Sequence, residues 1–523
     1  MPSRAAITFA CSSILHVLFS ATCSSAFQSN TNILRLSKTL SKATAAAAAV
    51  PRRFIPSMSS NSGNDEDIIQ TTKKIGIIGG GAAGLATARA FLRENEFNHN
   101  TNYHVTVFES RESIGGIWKY EDQTNTEKNR PMYRNLRTNL PKELMAYREL
   151  PWGGDGEASY VTHRQVLEYL ESYAEKFDLL KCINFGSSVT QLKVLENEQI
   201  SLEWTNSNAD ETHMEIFDHV SVCNGHYARP AIPKLKGLDK FRGSVIHAIE
   251  YDNAQPFADK TVLCVGAKPS GLDISREIGL VAKKVYLSDS ACDEMQTFGN
   301  VSVMPRMQSV DETGAVCFSS PRSIEEKHVV NGIDSIVFCS GYDYDFPFIN
   351  EDSNLELEFT PGERRVQPLY EQTWHARYPS VSFIGIPHSI VPFPLCEIQA
   401  AAVVSQTRTQ INNPLPSLSD RLAAASKDAN SGGPNATRVQ DTHNLASHQW
   451  DFCRRLAKIS GDDDDEMERF ISTNKALYDR SGKERKSMIP GGDDVYRETR
   501  FRRDDENQTY EILYSAAEAE VTV

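Results

Sequence analysis

The run Lys74-Ile-Gly-Ile-Ile78 is almost continuously apolar and too short for a helix, which predicts a buried strand. It passes through Gly79-Gly-Gly81 into an alanine-rich stretch, Ala82 to Leu92, which predicts a helix. A second strand is predicted at His104-Val-Thr-Val-Phe108, ending in Glu109. Later bursts at Lys284-Val-Tyr-Leu287 and Asp334-Ser-Ile-Val-Phe-Cys339 read as further strands. The rhythm then fades. Residues 420–440 are rich in Ala, Ser, Asn and Gly, which predicts an enlarged surface loop. Beyond about residue 460 the chain is charged with little apolar periodicity, which predicts short helix and disorder.

The strand-to-helix passage is where dinucleotide chemistry is expected. In Gly79-Gly80-Gly81-Ala82-Ala83-Gly84, Gly79 permits a tight turn and Gly81 lets backbone approach a pyrophosphate. Gly84 lets the helix pack close to the sheet, and the helix N-terminus faces the phosphates. Glu109 can accept both hydroxyls of an adenosine ribose. A 2'-phosphate ~4 Å from that carboxylate would cost roughly 4 kcal/mol at an effective dielectric of ~20, so the first site prefers FAD or NAD over NADP. A second turn, Gly266-Ala-Lys-Pro-Ser270-Gly271, predicts a second dinucleotide in the same chain.

Several stretches point to one family. Ser110-Arg-Glu-Ser-Ile-Gly115-Gly116-Ile117-Trp118 and Tyr133-Arg-Asn-Leu-Arg137-Thr138-Asn139-Leu140-Pro-Lys-Glu resemble the flavin-containing monooxygenases, as does Phe241-Arg-Gly243-Ser-Val-Ile-His247-Ala-Ile-Glu-Tyr251-Asp252. That last segment fits the family's identifying pattern F-x-G-x-x-x-H-x-x-x-Y/F-K/D at every specified position. Val222-Cys-Asn-Gly-His226, Cys339-Ser-Gly-Tyr342, Ile390-Val-Pro-Phe-Pro394 with Glu397, and Thr442-His-Asn-Leu445 extend the resemblance over about residues 72–457. The R-T-N-L-P and C-N-G-H-Y runs are most similar to the plant S-oxygenating branch.

The resemblance implies an α/β fold with two Rossmann-like dinucleotide-binding domains, the NADP domain inserted in the FAD domain. It implies NADPH and O2 oxygenating a soft sulfur or nitrogen in a small molecule through a C4a-hydroperoxyflavin, with the protein supplying position and a dry site. Asn139 matches the asparagine placed beside flavin and nicotinamide, whose amide donates and accepts together. Gly79 to Gly84, Glu109, Gly116, Ile117, Trp118, Thr138, Asn139 and Leu140 are the implied FAD contacts. Gly266, Lys268, Ser270, Gly271, Asp273 and Asp289 are the implied nicotinamide-nucleotide contacts. His247 has no nucleophile to serve and reads as a hydrogen-bonding structural residue.

Two positions depart from the pattern. Lys268 stands where the middle glycine or a small residue is usual, and can either obstruct the pyrophosphate or place its ammonium near phosphate. After Lys284-Val-Tyr-Leu287 the family commonly has an arginine for the 2'-phosphate, whereas here the tip reads Ser288-Asp289-Ser290. NADPH is expected from the resemblance, with Lys268 or Arg306 supplying charge, and NADH stays possible. A Baeyer-Villiger enzyme would share the folds, but its pattern asks for tryptophan where Tyr251 stands. An NAD(P)H oxidase or reductase that no longer oxygenates is the other alternative.

Composition adjusts this picture in few places. At 523 residues the chain is long enough for two domains and a presequence. Its net charge of -14 argues against nucleic-acid binding. The acid run Asp462 to Glu466 reads as solvated and not as a metal site. Cys223, Cys264, Cys339 and Cys396 lack C-x-x-C spacing and read as reduced core thiols. No Asp or Glu precedes Asp65, and an apolar stretch at 5–22 ends in Ser24-Ser25-Ala26 before Phe27. That signal followed by a Ser-, Thr- and Ala-rich segment resembles a bipartite leader for plastids inside extra membranes, with secretory, mitochondrial or cytoplasmic fates as alternatives. Membrane association is not expected for the mature chain.

Motif order gives the organisation: leader 1–65, FAD domain 72–228, nicotinamide-nucleotide domain 229–330, a return to the FAD domain over 331–460 through the Asp334–Cys339 strand, and a charged tail 461–523.

Overall fold

A computed structural model describes residues 71–97, 100–121, 131–153, 157–207, 209–320, 327–359, 362–431, 438–486, 494–504 and 506–515. The leader lies outside the described residues.

Strand Thr71–Ile78 starts a seven-stranded sheet and sits near its centre, paired in parallel with Thr101–Phe108 and His219–Val222. Ile183–Asn184 lies at one edge, and Val381–Phe383, Trp374–His375 and Leu369–Tyr370 extend the other. Covered on both faces, the central strands bury Ile75, Ile77 and Val107 completely, which explains their continuous apolar pattern. Helix α1 (Ala82–Phe97) packs against this sheet through Leu85, Ala86, Ala88 and Phe91. Helix α2 (His163–Lys176) opens on a capping box in which Thr162 and Gln165 satisfy each other's backbone N–H groups.

A second sheet has the order Gln296–Phe298, Val301–Met304, Lys284–Ser288, Thr261–Val265, Ser335–Phe338, Ser244–His247, with every pairing parallel except the first. Helix α3 (Pro269–Gly279) follows Thr261–Val265 and buries Ile274 and Ile278 in the core beside this sheet. Strand Ser335–Phe338, expected to carry the chain back to the first sheet, belongs to the second one. Its register runs Val262↔Ser335 to Val265↔Phe338 on one side and Ser335↔Ser244 to Phe338↔His247 on the other. An apolar run reports burial on two faces and not which sheet provides it. The chain rejoins the first sheet at Leu369–Tyr370.

The segments after the second sheet are more ordered than their composition suggests. Helix α4 (Pro392–Thr407) starts with proline in its first turn and buries Phe393, Leu395, Ile398 and Val403. Helix α5 (Leu418–Ser431) stands where a surface loop is predicted, because its alanines are strong helix formers and Ala425 is buried. Helices α6 (Gln449–Ser460) and α7 (Asp465–Lys486) follow, and a hairpin joins Arg500–Asp504 to Thr509–Tyr514. The expectation of disorder past 460 is therefore corrected for the described residues. Met467, Phe470 and Ile471 form a buried stripe at helical spacing, continued by Asn474 and Leu477, while the acids of the first turns, Asp465, Glu466 and Glu468, face outward. Asp464 caps α7 by accepting from the backbone N–H groups of Glu466 (3.1 Å) and Met467 (3.0 Å). Among the described residues no helix is long and apolar enough to cross a membrane.

Candidate active site

The two glycine turns are built alike. Gly79, at φ +107°, donates its N–H to Phe108 O (2.8 Å), and Gly266, at φ +109°, donates to Ser288 O (2.9 Å). A Cβ on Gly79 would stand 2.6 Å from Cys223 O, and one on Gly266 would stand 2.6 Å from Cys339 O. Cys223 and Cys339 follow equivalent central strands, and their own N–H groups bond Ile78 O (2.9 Å) and Val265 O (2.8 Å). Five residues on, a Cβ on Gly84 would lie 1.8 Å from Gly79 O, and one on Gly271 would lie 1.7 Å from Gly266 O. Each helix therefore packs on its own turn at a distance only glycine allows. The first-turn amides of α1 and α3 have no intrahelical partner, so each turn presents donors to an anion.

Around the first turn, Gly115 donates to Gly80 O (3.1 Å), bringing Gly116 against Gly81, where a Cβ on Gly116 would be 3.1 Å from Gly81 Cα. Ile117 and Trp118 continue a short turn, with Trp118 edge-on to Phe393 at 6.3 Å. Ala82 O accepts from the Tyr147 hydroxyl (2.7 Å), and Ala83 O accepts from Thr87 (2.8 Å). The buried Glu109 carboxylate accepts from the N–H groups of Gly80 (2.7 Å) and Arg111 (2.9 Å). A carboxylate has roughly four acceptor sites, so capacity remains for ribose hydroxyls. The bare glycine cradle, the helix N-terminus and the acid together fit a dinucleotide.

The segment carrying Asn139 is held from both sides. Thr138 is buried, donates to Val161 O (2.8 Å), and accepts the Val161 N–H on its hydroxyl (3.1 Å). Leu140 is buried in the first core. Asn139 itself is half-buried, and its side-chain amide has no hydrogen-bond partner among the described residues.

The motif at residues 241–252 is tied to its surroundings through three side chains. His247 accepts the Ile249 N–H on Nδ1 (3.1 Å) and reaches Gly341 O with Nε2 (3.0 Å), so both ring nitrogens serve backbone. Burial lowers its pKa, in keeping with a neutral ring. The Tyr251 hydroxyl donates to Glu277 on α3 (2.6 Å). Asp252 pairs with Arg134 (3.0 Å) and accepts from Tyr120 (2.8 Å), tying α3 to the segment before Asn139.

At the second turn Lys268 caps α3 in an extended conformation, so a side chain is accommodated there. Its pKa is lowered, by burial first and then by Arg364, with Arg438 adding to the effect and Asp441 opposing it. Arg364 and Arg438 thus lie close enough to Lys268 to act on its charge, each with an acid of its own, Asp343 (3.8 Å) and Asp441 (3.1 Å), and Arg364 also donates to Ser340 O beside Gly341. Ser270 lies exposed in the first turn of α3. Asp289 accepts the Ala291 N–H (2.9 Å) as Glu109 accepts that of Arg111. Asp273 is different from its expected role as a nucleotide contact. Its oxygens are taken by Arg497 (2.8 and 3.1 Å) and by the Tyr133 hydroxyl (3.3 Å).

Comparison with known proteins places this geometry. Residues 72–294 match the family model described as flavin-binding monooxygenase-like. The chain is 32% identical to the flavin-containing monooxygenase FMO GS-OX5 of Arabidopsis thaliana over 431 residues, covering 77% of this chain and 88% of the relative. The chain belongs to the flavin-containing monooxygenases.

Among solved structures, this flavin-containing monooxygenase is similar to the S-allyl-L-cysteine S-oxygenase of Allium sativum (TM-score 0.71, 28% identity, 86% of this chain and 98% of that one). A caprolactone-bound cyclohexanone monooxygenase aligns at TM-score 0.51 and 14% identity over 75% of this chain and 98% of that one, which speaks to the fold alone. As a flavin-containing monooxygenase the protein binds FAD and NADPH and oxygenates soft nucleophiles.

Sequence reasoning missed Arg364, Arg438 and Arg497. Arg497 lies in a stretch dense in charges, where nothing local distinguishes a buried arginine from a solvated one.

Proposed function

We propose that this flavin-containing monooxygenase acts on a thioether sulfur, and that its two glycine turns mark two Rossmann-like units, the nicotinamide unit inserted in the FAD unit. The observation that carries the second part is the duplicated construction of Gly79/Gly84/Cys223 and Gly266/Gly271/Cys339. Support for sulfur is the similarity to an S-oxygenase and to the GS-OX relatives.

The first turn and α1 would hold the FAD pyrophosphate, Glu109 the ribose, and Gly116 to Trp118 the adjoining part of the cofactor. The second turn, with Lys268 and Arg364 beside it, would hold NADPH. Bound NADPH supplies two electrons, and bound FAD supplies the oxygen-transfer chemistry. The chain's own work is to orient and to exclude water. Asn139 brings an uncommitted amide that can donate to one partner and accept from the other. Neither reading needs a protein general base, and the buried histidines are held neutral by burial.

The test is product analysis with an S-alkylated cysteine and a tertiary amine offered in turn. Sulfoxide formed in step with NADPH consumed is expected. N-oxide in excess would move the substrate class to amines, and H2O2 alone would favour an oxidase. For the leader, delivery to plastids through residues 1–65 is proposed from its acid-free, signal-plus-transit composition. A fluorescent fusion carrying those residues checks it in a cell whose plastids have extra membranes.

A further inference from the structure

Arg497 is among the largest side chains that are fully buried, at 2% exposure, within a segment that is charged almost throughout. Its guanidinium grips three separate stretches of chain. It forms a fork on Asp273 of α3, with Nη2 to Oδ2 at 2.8 Å and Nη1 to Oδ1 at 3.1 Å. Its Nε donates to Thr138 O (2.9 Å), and Nη2 also reaches Arg137 O (3.4 Å). Within its own segment it pairs with Asp494 (2.7 Å), which also faces Arg276 of α3 (3.4 Å). Burial is the largest single influence and opposes the charge, but the bond to Asp273 and the nearby negative groups together outweigh it and keep the guanidinium's pKa above its ordinary value.

The surrounding contacts follow the same line. Arg485, near the end of α7, reaches Asn139 O at 3.5 Å. Phe501 donates its N–H to Ser159 (2.8 Å), which in turn donates to Glu143 (3.0 Å), and Tyr496 stands edge-on to Tyr160 at 5.2 Å. The C-terminal segment thus touches the Arg137–Glu143 stretch repeatedly.

The bond to Thr138 O has a specific consequence. That oxygen belongs to the rigid plane of the Thr138–Asn139 peptide, so a donor fixed on it fixes the direction in which Asn139 leaves the backbone. The other arms fix the same donor to the helix that starts at the second glycine turn. An arginine fork sets distance and direction together, which a lysine ammonium cannot do.

We propose that Arg497 is a positioning residue of the oxygenation site: it locks the Thr138–Asn139 peptide to α3, so that the C-terminal segment completes the site between the two glycine turns. This rests on Asn139 lying beside the bound flavin.

The experiment uses the full-length FAD-bound chain with Arg497→Lys, with the pair Arg497→Met and Asp273→Asn, and with Asn139→Ala as a parallel control. The pair removes both charges together, so that no buried carboxylate is left alone. Three quantities are measured: FAD content, H2O2 released per NADPH consumed, and amide hydrogen exchange over residues 136–141. The expected result is retained FAD, a several-fold rise in the H2O2 fraction with little change in the NADPH KM, and exchange at Thr138 to Leu140 faster by tenfold or more. Arg497→Lys, which keeps a charge for Asp273, is expected to show the same split. Wild-type coupling and wild-type exchange in either variant overturn the proposal and leave Arg497 an anchor for the tail only. If Asn139→Ala itself stays fully coupled, the placement of Asn139 is what fails, and the exchange rates alone then decide whether Arg497 holds the peptide.

Discussion

At the scale of single residues, two acids in equivalent places are used in opposite senses. Glu109 and Asp289 each follow the strand that comes after the helix of their glycine turn, and each accepts a backbone N–H two residues on. Beside FAD this is consistent, since an unphosphorylated ribose offers hydroxyls to an acid. Beside NADPH it is not, since Asp289 would face a 2'-phosphate that the nearby cations must hold against it. Asp289→Asn keeps an oxygen for the Ala291 N–H and removes the repulsion. The expected outcome in steady-state kinetics is an NADPH KM lowered several-fold with the NADH KM nearly unchanged. An unchanged ratio would show that the side chain does not face the ribose. The fold of this region was legible from apolar bursts and glycines, but the cations that act on Lys268 were not, because Arg364 and Arg438 arrive from segments far along the chain.

At the scale of elements, the strand-turn-helix units owe their geometry to two glycine pairs. The contacts at Gly84 and Gly271 are with carbonyl oxygens of the turn, so a methyl group has no flexible neighbour to displace. Gly271→Ala therefore forces α3 away from its strand. Overpacking of this kind typically costs about 1–3 kcal/mol, and more where only backbone can yield. The expected result is a lowered melting temperature and loss of NADPH binding with FAD still bound, read by titration of the flavin spectrum. Loss of both cofactors together would show that α3 does not move independently of the first sheet. Helix α7 teaches the reverse lesson. Its stripe of Met467, Phe470 and Ile471 is short and lies among acids, so an average over the window hides a pattern that burial makes decisive.

At the scale of the whole molecule, pH tests how the buried core around the first sheet is held. His219 and His443 are buried and neutral, with pKa values lowered to about 3, and His375 is lowered to about 4, in each case chiefly by burial. Each ring is protonated in the unfolded chain below about pH 6.5, while the folded state binds no proton until the lowered value is reached. Stability is therefore present above pH 6.5 and lost as pH falls toward 4, by about 2 kcal/mol per histidine at pH 5. Glu397 acts in the other direction. Burial raises its carboxyl to about 7, so it costs stability as pH climbs from about 4.5 to 7. Glu397→Gln, which can still accept from the Arg148 N–H, is expected to stabilise the flavin-free protein at pH 8 and to leave it nearly unchanged at pH 4.5. Denaturant titrations at those values check both signs. An equal gain at both pH values would mean that charge at Glu397 is not the cause.

What the sequence determined by itself was local: where strand hands over to helix, where only glycine fits, and which segments carry the family's chemistry. Those signals lie within a few residues of one another, because steric limits on a turn act over that distance. What only the tertiary structure decided was partnership: which sheet takes Ser335–Phe338, which arginine claims Asp273, and whether the charged tail folds. Such choices depend on groups that lie tens to hundreds of positions apart in the chain, and a buried pair such as Arg497 and Asp273 looks, residue by residue, like two solvated charges.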